Sequence, residues 1–258
     1  MIFYAPDQLA VVGLIMLFGS VVQGAVGFGS GLLGVPLLVL CGFSIPEAAT
    51  INLVSTSVQN ATGAWQLRSH LDPPELILPV AVRFLAIPCG TYLAFLVDQN
   101  LDPAQAKQII GLILLVTIAL LWGSRVTPRE QLHRNWQILA FSTSGLLMGF
   151  ATIGGAPMVL YVNALSWTAN KSRAFLFFCS AVALPVVAVA FWVEHGKKIL
   201  PAAFAALLLL PLVLGGLCLG LRLGNRLSKP LFRRLTYLLV LLVALGAIAV
   251  PLMGDASP

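Results

Sequence analysis

Charged residues are scarce in this sequence. Asp, Glu, Lys and Arg together make up 9% of the 258 residues, whereas 59% are hydrophobic. A soluble domain usually carries about 25% charged residues, and a soluble core of this length could not hide so much apolar surface. A lipid bilayer can solvate that surface, so the composition predicts an integral membrane protein. The formal net charge of +6 does not indicate nucleic-acid binding, because the basic residues lie between apolar runs.

The side chains that usually build metal, cofactor or catalytic sites are also few. The four cysteines lie in apolar runs without a CxxC spacing, and the three histidines lie in polar connections. Glu47, Asp98 and Glu194 lie near the ends of apolar runs, and no carboxylate lies in the middle of one. We therefore expect no cofactor, no metal site and no enzymatic activity, and a buried-carboxylate proton relay is not evident. Residues 1–10 contain no Lys or Arg, so we expect no cleavable signal peptide.

Long apolar runs are abundant. A membrane-spanning helix needs roughly 20 mainly apolar residues. Two longer regions, 8–43 and 136–166, are interrupted by several glycines, and each predicts two short helices around a glycine-rich break. Six other runs are of spanning length: 47–67, 75–97, 106–123, 172–193, 199–221 and 235–253.

The two halves of the chain share one order of elements, a broken pair followed by three spans. The tripeptide Gly-Val-Pro at 34–36 is matched by Gly-Ala-Pro at 155–157. The first repeat covers residues 1–124 and the second covers 135–258, with a short polar connection between them. We predict an all-α integral membrane protein in which the two repeats form one integrated transmembrane domain.

The basic residues predict the topology. Cytoplasmic loops of membrane proteins are enriched in Lys and Arg. On that rule each broken pair enters and leaves on one side, both termini are non-cytoplasmic, and the two repeats are inverted. Inverted repeats are typical of secondary transporters, whose substrate site lies near the midplane where broken helices meet. Eleven of the 15 basic residues lie in four segments assigned to the cytoplasm: 68–74, 124–135, 167–173 and 222–234.

The two glycine breaks are the first candidate binding site. The start of a helix presents free backbone N–H groups and a partial positive charge, and glycine lets a ligand approach that backbone closely. Two such starts at mid-depth would bind an anion without a buried cation. The alternative is that the glycines serve helix packing in lipid. The residues concerned are Gly27, Gly29, Ser30 and Gly31 in the first break and Thr152, Gly154 and Gly155 in the second.

A polar stripe is the second candidate. Asn52, Ser55, Thr56, Gln59 and Asn60 recur at helical spacing within an otherwise apolar run. Because polar groups facing lipid are costly, we expect this face to point inward. It would line a pathway and bind substrate oxygens, or alternatively form hydrogen bonds between helices.

Arg83 is the third candidate, because it lies within the apolar run 75–97. An arginine inside a membrane span is a functional hypothesis by default, and this one would attract or bind an anion. The alternative is that its side chain extends to the cytoplasmic interface.

These motifs resemble the TauE/SafE family of membrane proteins, also described as sulfite exporters or sulfonate permeases. The resemblance rests on GFGSGLLGVP at 27–36, on IGGAP at 153–157 and on the duplicated layout, and it covers nearly the whole chain. It implies a substrate among sulfite, organosulfonates and other small sulfur-containing anions.

From the residues and the resemblance together we predict a multi-pass secondary transporter of the cytoplasmic membrane. It would move sulfite or an organosulfonate by alternating access. An uptake permease for another small organic sulfur compound or anion is the alternative, and an anion channel ranks below it. The expected partners are the small anion and membrane lipid, with no nucleic acid, and a homodimer is left open.

Overall fold

The computed structural model describes residues 4–26, 28–123 and 128–224, together with positions 238, 241–242, 244–247 and 249. These residues are helical apart from short connections and one isolated β-bridge. The α-helices are α1 (Pro6–Val26), α2 (Ser30–Leu40), α3 (Ile45–Gln66), α4 (Pro73–Asn100), α5 (Pro103–Gly123), α6 (Arg134–Ala151), α7 (Gly155–Asn163), α8 (Ala169–His195), α9 (Leu200–Leu208) and α10 (Leu210–Gly224).

The helices confirm the predicted all-α membrane protein. The run predicted at 235–253 lies largely outside the described residues. The helix α3 is long enough to span, but its polar stripe lowers its hydropathy. Four stretches of the described chain are long and apolar enough to cross a membrane: Pro6–Ala25, Pro73–Asn100, Ala104–Leu121 and Asn170–Leu208.

Both glycine breaks occur where they were predicted, but the helices before them are longer than expected. Gly29 has a φ of 112° and Thr152 a φ of 55°, both in the left-handed region that ends a regular helix. The prediction of two short helices is wrong for α1, which has 21 residues and spanning length. Its internal glycines keep helical backbone, and the positive φ of Gly29 lies directly before the first residue of α2.

The single span predicted at 199–221 is wrong in one detail, because Leu209 interrupts it between α9 and α10. Pro211 lacks the N–H that would bond to the carbonyl of Leu207, and its ring crowds that carbonyl. The backbone bond from Val213 N to Leu209 O, 3.0 Å, resumes the helix directly afterwards.

Each broken pair begins and ends on one side of the bundle. The Tyr4 hydroxyl, just before α1, donates to Glu47 Oε1 at 3.0 Å, and its ring packs edge-on against Phe43, just after α2. In the second pair the backbone N–H of Arg129, before α6, donates to the carbonyl of Ala164, after α7, at 3.0 Å. Both pairs are therefore hairpins.

The two hairpins open on opposite sides. Lys171 at the start of α8 forms a 2.8 Å salt bridge with Glu75 at the start of α4, and the second hairpin leads directly into α8. The first hairpin leads into α3, which crosses the bundle before the chain reaches Glu75. This arrangement agrees with inverted repeats, and the inversion itself stays a prediction.

Glycines allow close helix contacts, and two of these contacts join a helix of the second half to a helix of the first. In α6, a Cβ on Gly145 would lie 2.9 Å from a carbonyl oxygen of α4. In α10, a Cβ on Gly216 would lie 2.8 Å from a carbonyl oxygen of α1. Gly149 and Gly220, one turn further along, also meet carbonyl groups of the same partner helices. Small residues four apart let helices pack this closely in membranes.

Candidate functional site

A small cavity of about 50 Å³ lies where the two breaks meet α3 and α4. The breaks contribute Gly29 and Gly31 from the first hairpin and Thr152 and Gly155 from the second. The stripe of α3 contributes Asn52, Thr56 and Asn60, and α4 contributes Arg83. The three candidate sites of the sequence therefore meet at one cavity.

Asn52 joins the two breaks. Its Nδ2 donates to Thr152 Oγ1 at 2.8 Å and to the Thr152 carbonyl at 3.3 Å, and its Oδ1 accepts from Ser30 Oγ at 3.4 Å. Thr152 is also the residue with positive φ in the second break. Gly31 lies at the same junction, where a Cβ would be 2.6 Å from the Thr152 carbonyl oxygen. A side chain at Gly31 would separate the breaks.

Both hairpins turn a helix start toward the cavity. In α2 the first backbone hydrogen bond runs from the N–H of Leu33 to the carbonyl of Gly29. The N–H groups of Ser30, Gly31 and Leu32 lie before it and have no acceptor within the helix. In α7 the first residue is Gly155, and a Cβ built there would have no atom within 4 Å. The partial positive charges of both helix starts favour an anion in this space.

Arg83 is buried at the cavity with most of its donors unused. Its side chain is 1% exposed, and Nη1 donates to the Cys179 carbonyl at 2.7 Å. Nε and Nη2 have no hydrogen-bond partner among the described residues. Arg83 lies ten residues, roughly 15 Å, beyond Pro73 at the start of α4. The side chain is thus directed into the protein and does not extend to the interface.

Several predicted residues do not line this cavity. Ser30 and Gly154 lie next to it: Ser30 bonds Asn52, and the Gly154 carbonyl accepts from Ser144 Oγ at 2.6 Å. Ser55 and Gln59 are fully buried and do not line the cavity, and Gln59 Nε2 donates instead to Ser20 Oγ of α1 at 2.8 Å. Gly27 lies outside the described residues.

The cavity also has polar residues that sequence reasoning did not assign to the site. Gln23 of α1 lines it and donates through Nε2 to Asn60 Oδ1 at 3.0 Å. Ser180 of α8 lines it as well. A lone amide within the apolar run of α1 was a usable signal for Gln23. Across the described ranges, His, Cys, Asp and Glu side chains form no group of three that could hold a metal ion.

Comparison with known proteins gives one match. The family model described as Sulfite exporter TauE/SafE matches residues 12–247, nearly the whole chain. No curated protein and no solved structure matches.

Proposed function

Since the chain belongs to the sulfite exporter TauE/SafE family, a family of membrane transporters and not of enzymes, we propose that it is a secondary transporter of sulfite or a similarly small sulfur-containing oxyanion. It acts in the cytoplasmic membrane. The two hairpins belong to inverted repeats whose relative movement gives alternating access to the cavity.

The observation that carries this proposal is that Arg83 is buried while its Nε and Nη2 have no hydrogen-bond partner among the described residues. A buried guanidinium with unpaired N–H groups is costly unless an acceptor compensates it. Its planar fork matches an oxyanion through two parallel hydrogen bonds. The starts of α2 and α7 add partial positive charge to the same cavity. An anion there would be stabilised by Arg83 and by both helix starts.

The size of the cavity favours an inorganic oxyanion. A space of this kind needs about 10–15 Å³ for each water-sized occupant, and the cavity has about 50 Å³. Sulfite, with one sulfur and three oxygen atoms, fits that space. A sulfonate with an organic tail would need a wider conformation.

The shape of the cavity supports access from the side of the basic segments. Its lining follows α3 from Asn52 through Thr56 to Asn60, toward the end of the helix that precedes Arg68. In the other direction Thr152 Oγ1 donates to the Ala49 carbonyl at 3.4 Å and closes the junction. If the basic segments are cytoplasmic, this conformation faces the cytoplasm.

A calorimetric titration of the purified protein in detergent tests the proposal. We expect saturable binding of sulfite, and weaker binding of taurine because its aminoethyl tail does not fit. Equal affinity for both would contradict the size argument. Absence of binding for sulfite, sulfate, thiosulfate and taurine alike would refute the proposed function.

A further inference from the structure

Three fully buried oxygen-bearing side chains lie where Gln59 of α3 bonds Ser20 of α1, and we call them the cation cluster. They are Ser20 of α1 and Ser55 and Gln59 of α3, each with no exposed surface. Ser55 and Gln59 lie one turn apart on the same face of α3. This face adjoins the one that lines the anion cavity.

Ser55 differs from three other hydroxyl residues of its helix. Thr50, Thr56 and Ser57 each donate to the carbonyl four residues earlier, at 2.6–2.8 Å. Buried serine and threonine side chains in helices commonly satisfy themselves in this way. The Ser55 hydroxyl has no hydrogen-bond partner among the described residues. It makes no bond to its own helix backbone, and its residue lies one turn from Gln59 on the same side of α3.

The orientation of the Gln59 amide follows from its neighbour. Ser20 Oγ donates to the Met16 carbonyl at 2.6 Å, so it can only accept from Gln59, whose Nε2 lies 2.8 Å away. The Gln59 carbonyl oxygen, Oε1, must then point elsewhere, and it too lacks a partner within the described part of the chain. Two fully buried oxygens, Ser55 Oγ and Gln59 Oε1, therefore accept no hydrogen bond from the described residues.

We propose that Ser20 Oγ, Ser55 Oγ and Gln59 Oε1 bind a monovalent cation of the size of Na⁺, whose binding is coupled to that of the anion. Hydroxyl and amide oxygens are hard ligands suited to such ions. Each retains a lone pair, because Ser20 accepts one bond and the other two oxygens accept none. The cluster contains no carboxylate, which divalent cations in proteins usually require.

The coupling rests on the proposed function, because it requires an anion in the neighbouring cavity. Successive turns of α3 carry Asn52 and Thr56 at the cavity and Ser55 and Gln59 at the cation cluster. A cation that holds α1 against α3 fixes the cavity wall and offsets the charge of the anion. Coupling between two sites is reciprocal, so Na⁺ strengthens anion binding by the factor with which the anion strengthens Na⁺ binding.

Thermal unfolding of the purified protein tests the cation site without an anion substrate. The chloride concentration is held constant while choline is replaced by Na⁺, K⁺ or Li⁺. We expect the unfolding temperature to rise saturably with Na⁺, since a ligand of the folded state stabilises it. Equal unfolding temperatures in Na⁺ and choline, or a response to K⁺ without one to Na⁺, would overturn the assignment.

Variants test whether the rise of the unfolding temperature with Na⁺ depends on the cluster. Ser55→Ala is expected to lower the apparent Na⁺ affinity about ten- to hundredfold, the usual effect of losing one charge-assisted contact. Gln59→Met, of similar volume, serves as a second variant. The matched control Ser57→Ala should keep the wild-type affinity, because Ser57 lies two residues away on the opposite side of the helix and bonds its own backbone. An unchanged Na⁺ midpoint in both Ser55→Ala and Gln59→Met means that only a water occupies the cluster and refutes the proposal.

Sulfite titrations, with the acid neutralised by choline, separate this proposal from the proposed function. Sulfite affinity should be higher in Na⁺ than in choline. Equal affinity in both salts would refute the coupling and leave the anion site standing. Failure of sulfite to bind in any salt, beside a saturable effect of Na⁺ on unfolding, would instead refute the proposed function alone.

Discussion

Among single residues, Arg83 has the largest expected effect on anion binding. We predict that Arg83→Gln weakens sulfite binding about ten- to hundredfold, because a charge-assisted hydrogen bond is lost. Arg83→Lys should retain part of the affinity, since lysine keeps the charge but not the planar fork. Calorimetry on monodisperse variants measures this. Arg68→Gln is the control, because Arg68 is exposed and stacks on Trp65 at the surface. Wild-type affinity in Arg83→Gln would remove Arg83 from the site.

Gly155 offers a way to fill the cavity without disturbing the protein. A Cβ there meets no protein atom within 4 Å, and Gly155 lines the cavity. We predict that Gly155→Ala folds normally but binds sulfite at least about tenfold more weakly, because its methyl group occupies part of the anion space. Gly215→Ala is the matched control, since its Cβ position is also open but lies on α10. Equal sulfite affinity in both variants would mean that the anion does not approach Gly155.

The residue-level prediction of the polar stripe was incomplete for a geometric reason. At 3.6 residues per turn the five stripe positions cover about 140° of the helix surface. Asn52, Thr56 and Asn60 lie along one edge of it and line the cavity, whereas Ser55 and Gln59 lie along the other edge and do not. Sequence spacing shows which residues share a broad face. It does not show which of them line a cavity.

At the scale of the helices, glycines allow the backbones of neighbouring helices to lie in contact. We predict that Gly149→Ala and Gly220→Ala lower the unfolding temperature. Their added Cβ atoms would collide with carbonyl groups of α4 and α1, respectively. In an open helix position the same change usually stabilises by about 1 kcal/mol, so Gly215→Ala should be neutral or stabilising. Thermal unfolding in one detergent compares all three, and a neutral effect at Gly149 and Gly220 would contradict the close packing.

The positions of the helix ends show which boundaries could be predicted from composition and sequence pattern. The glycine motifs located both breaks, because glycine readily adopts the left-handed backbone that interrupts a helix, as Gly29 does in the first break. Pattern alone did not give the length of α1, since internal glycines are tolerated in membrane helices. The interruption at Leu209 depends on Pro211, which a hydropathy average does not register.

At the scale of the whole molecule, the contacts between segments bear on topology. The salt bridge between Lys171 and Glu75 and the bridge between Arg129 and Leu165 bring three basic segments to one side. We predict that this side is cytoplasmic. In a chain without native cysteines, Asn100→Cys should react with an impermeant thiol reagent in intact cells, and Gln131→Cys should react only after lysis. The reverse pattern would contradict the orientation, and labelling of both in intact cells would contradict the separation of the two faces.

Counterflow in proteoliposomes tests the central claim, that the molecule is a carrier for a small oxyanion. Vesicles containing the wild-type protein are loaded with unlabelled sulfite and diluted into a trace of radiolabelled sulfite. An alternating-access carrier exchanges one for the other, so the label should accumulate transiently above its equilibrium level. Vesicles with Arg83→Gln should show little or no accumulation. Entry of label to equilibrium without a transient excess would identify a channel, and no entry beyond that of empty vesicles would contradict sulfite transport altogether.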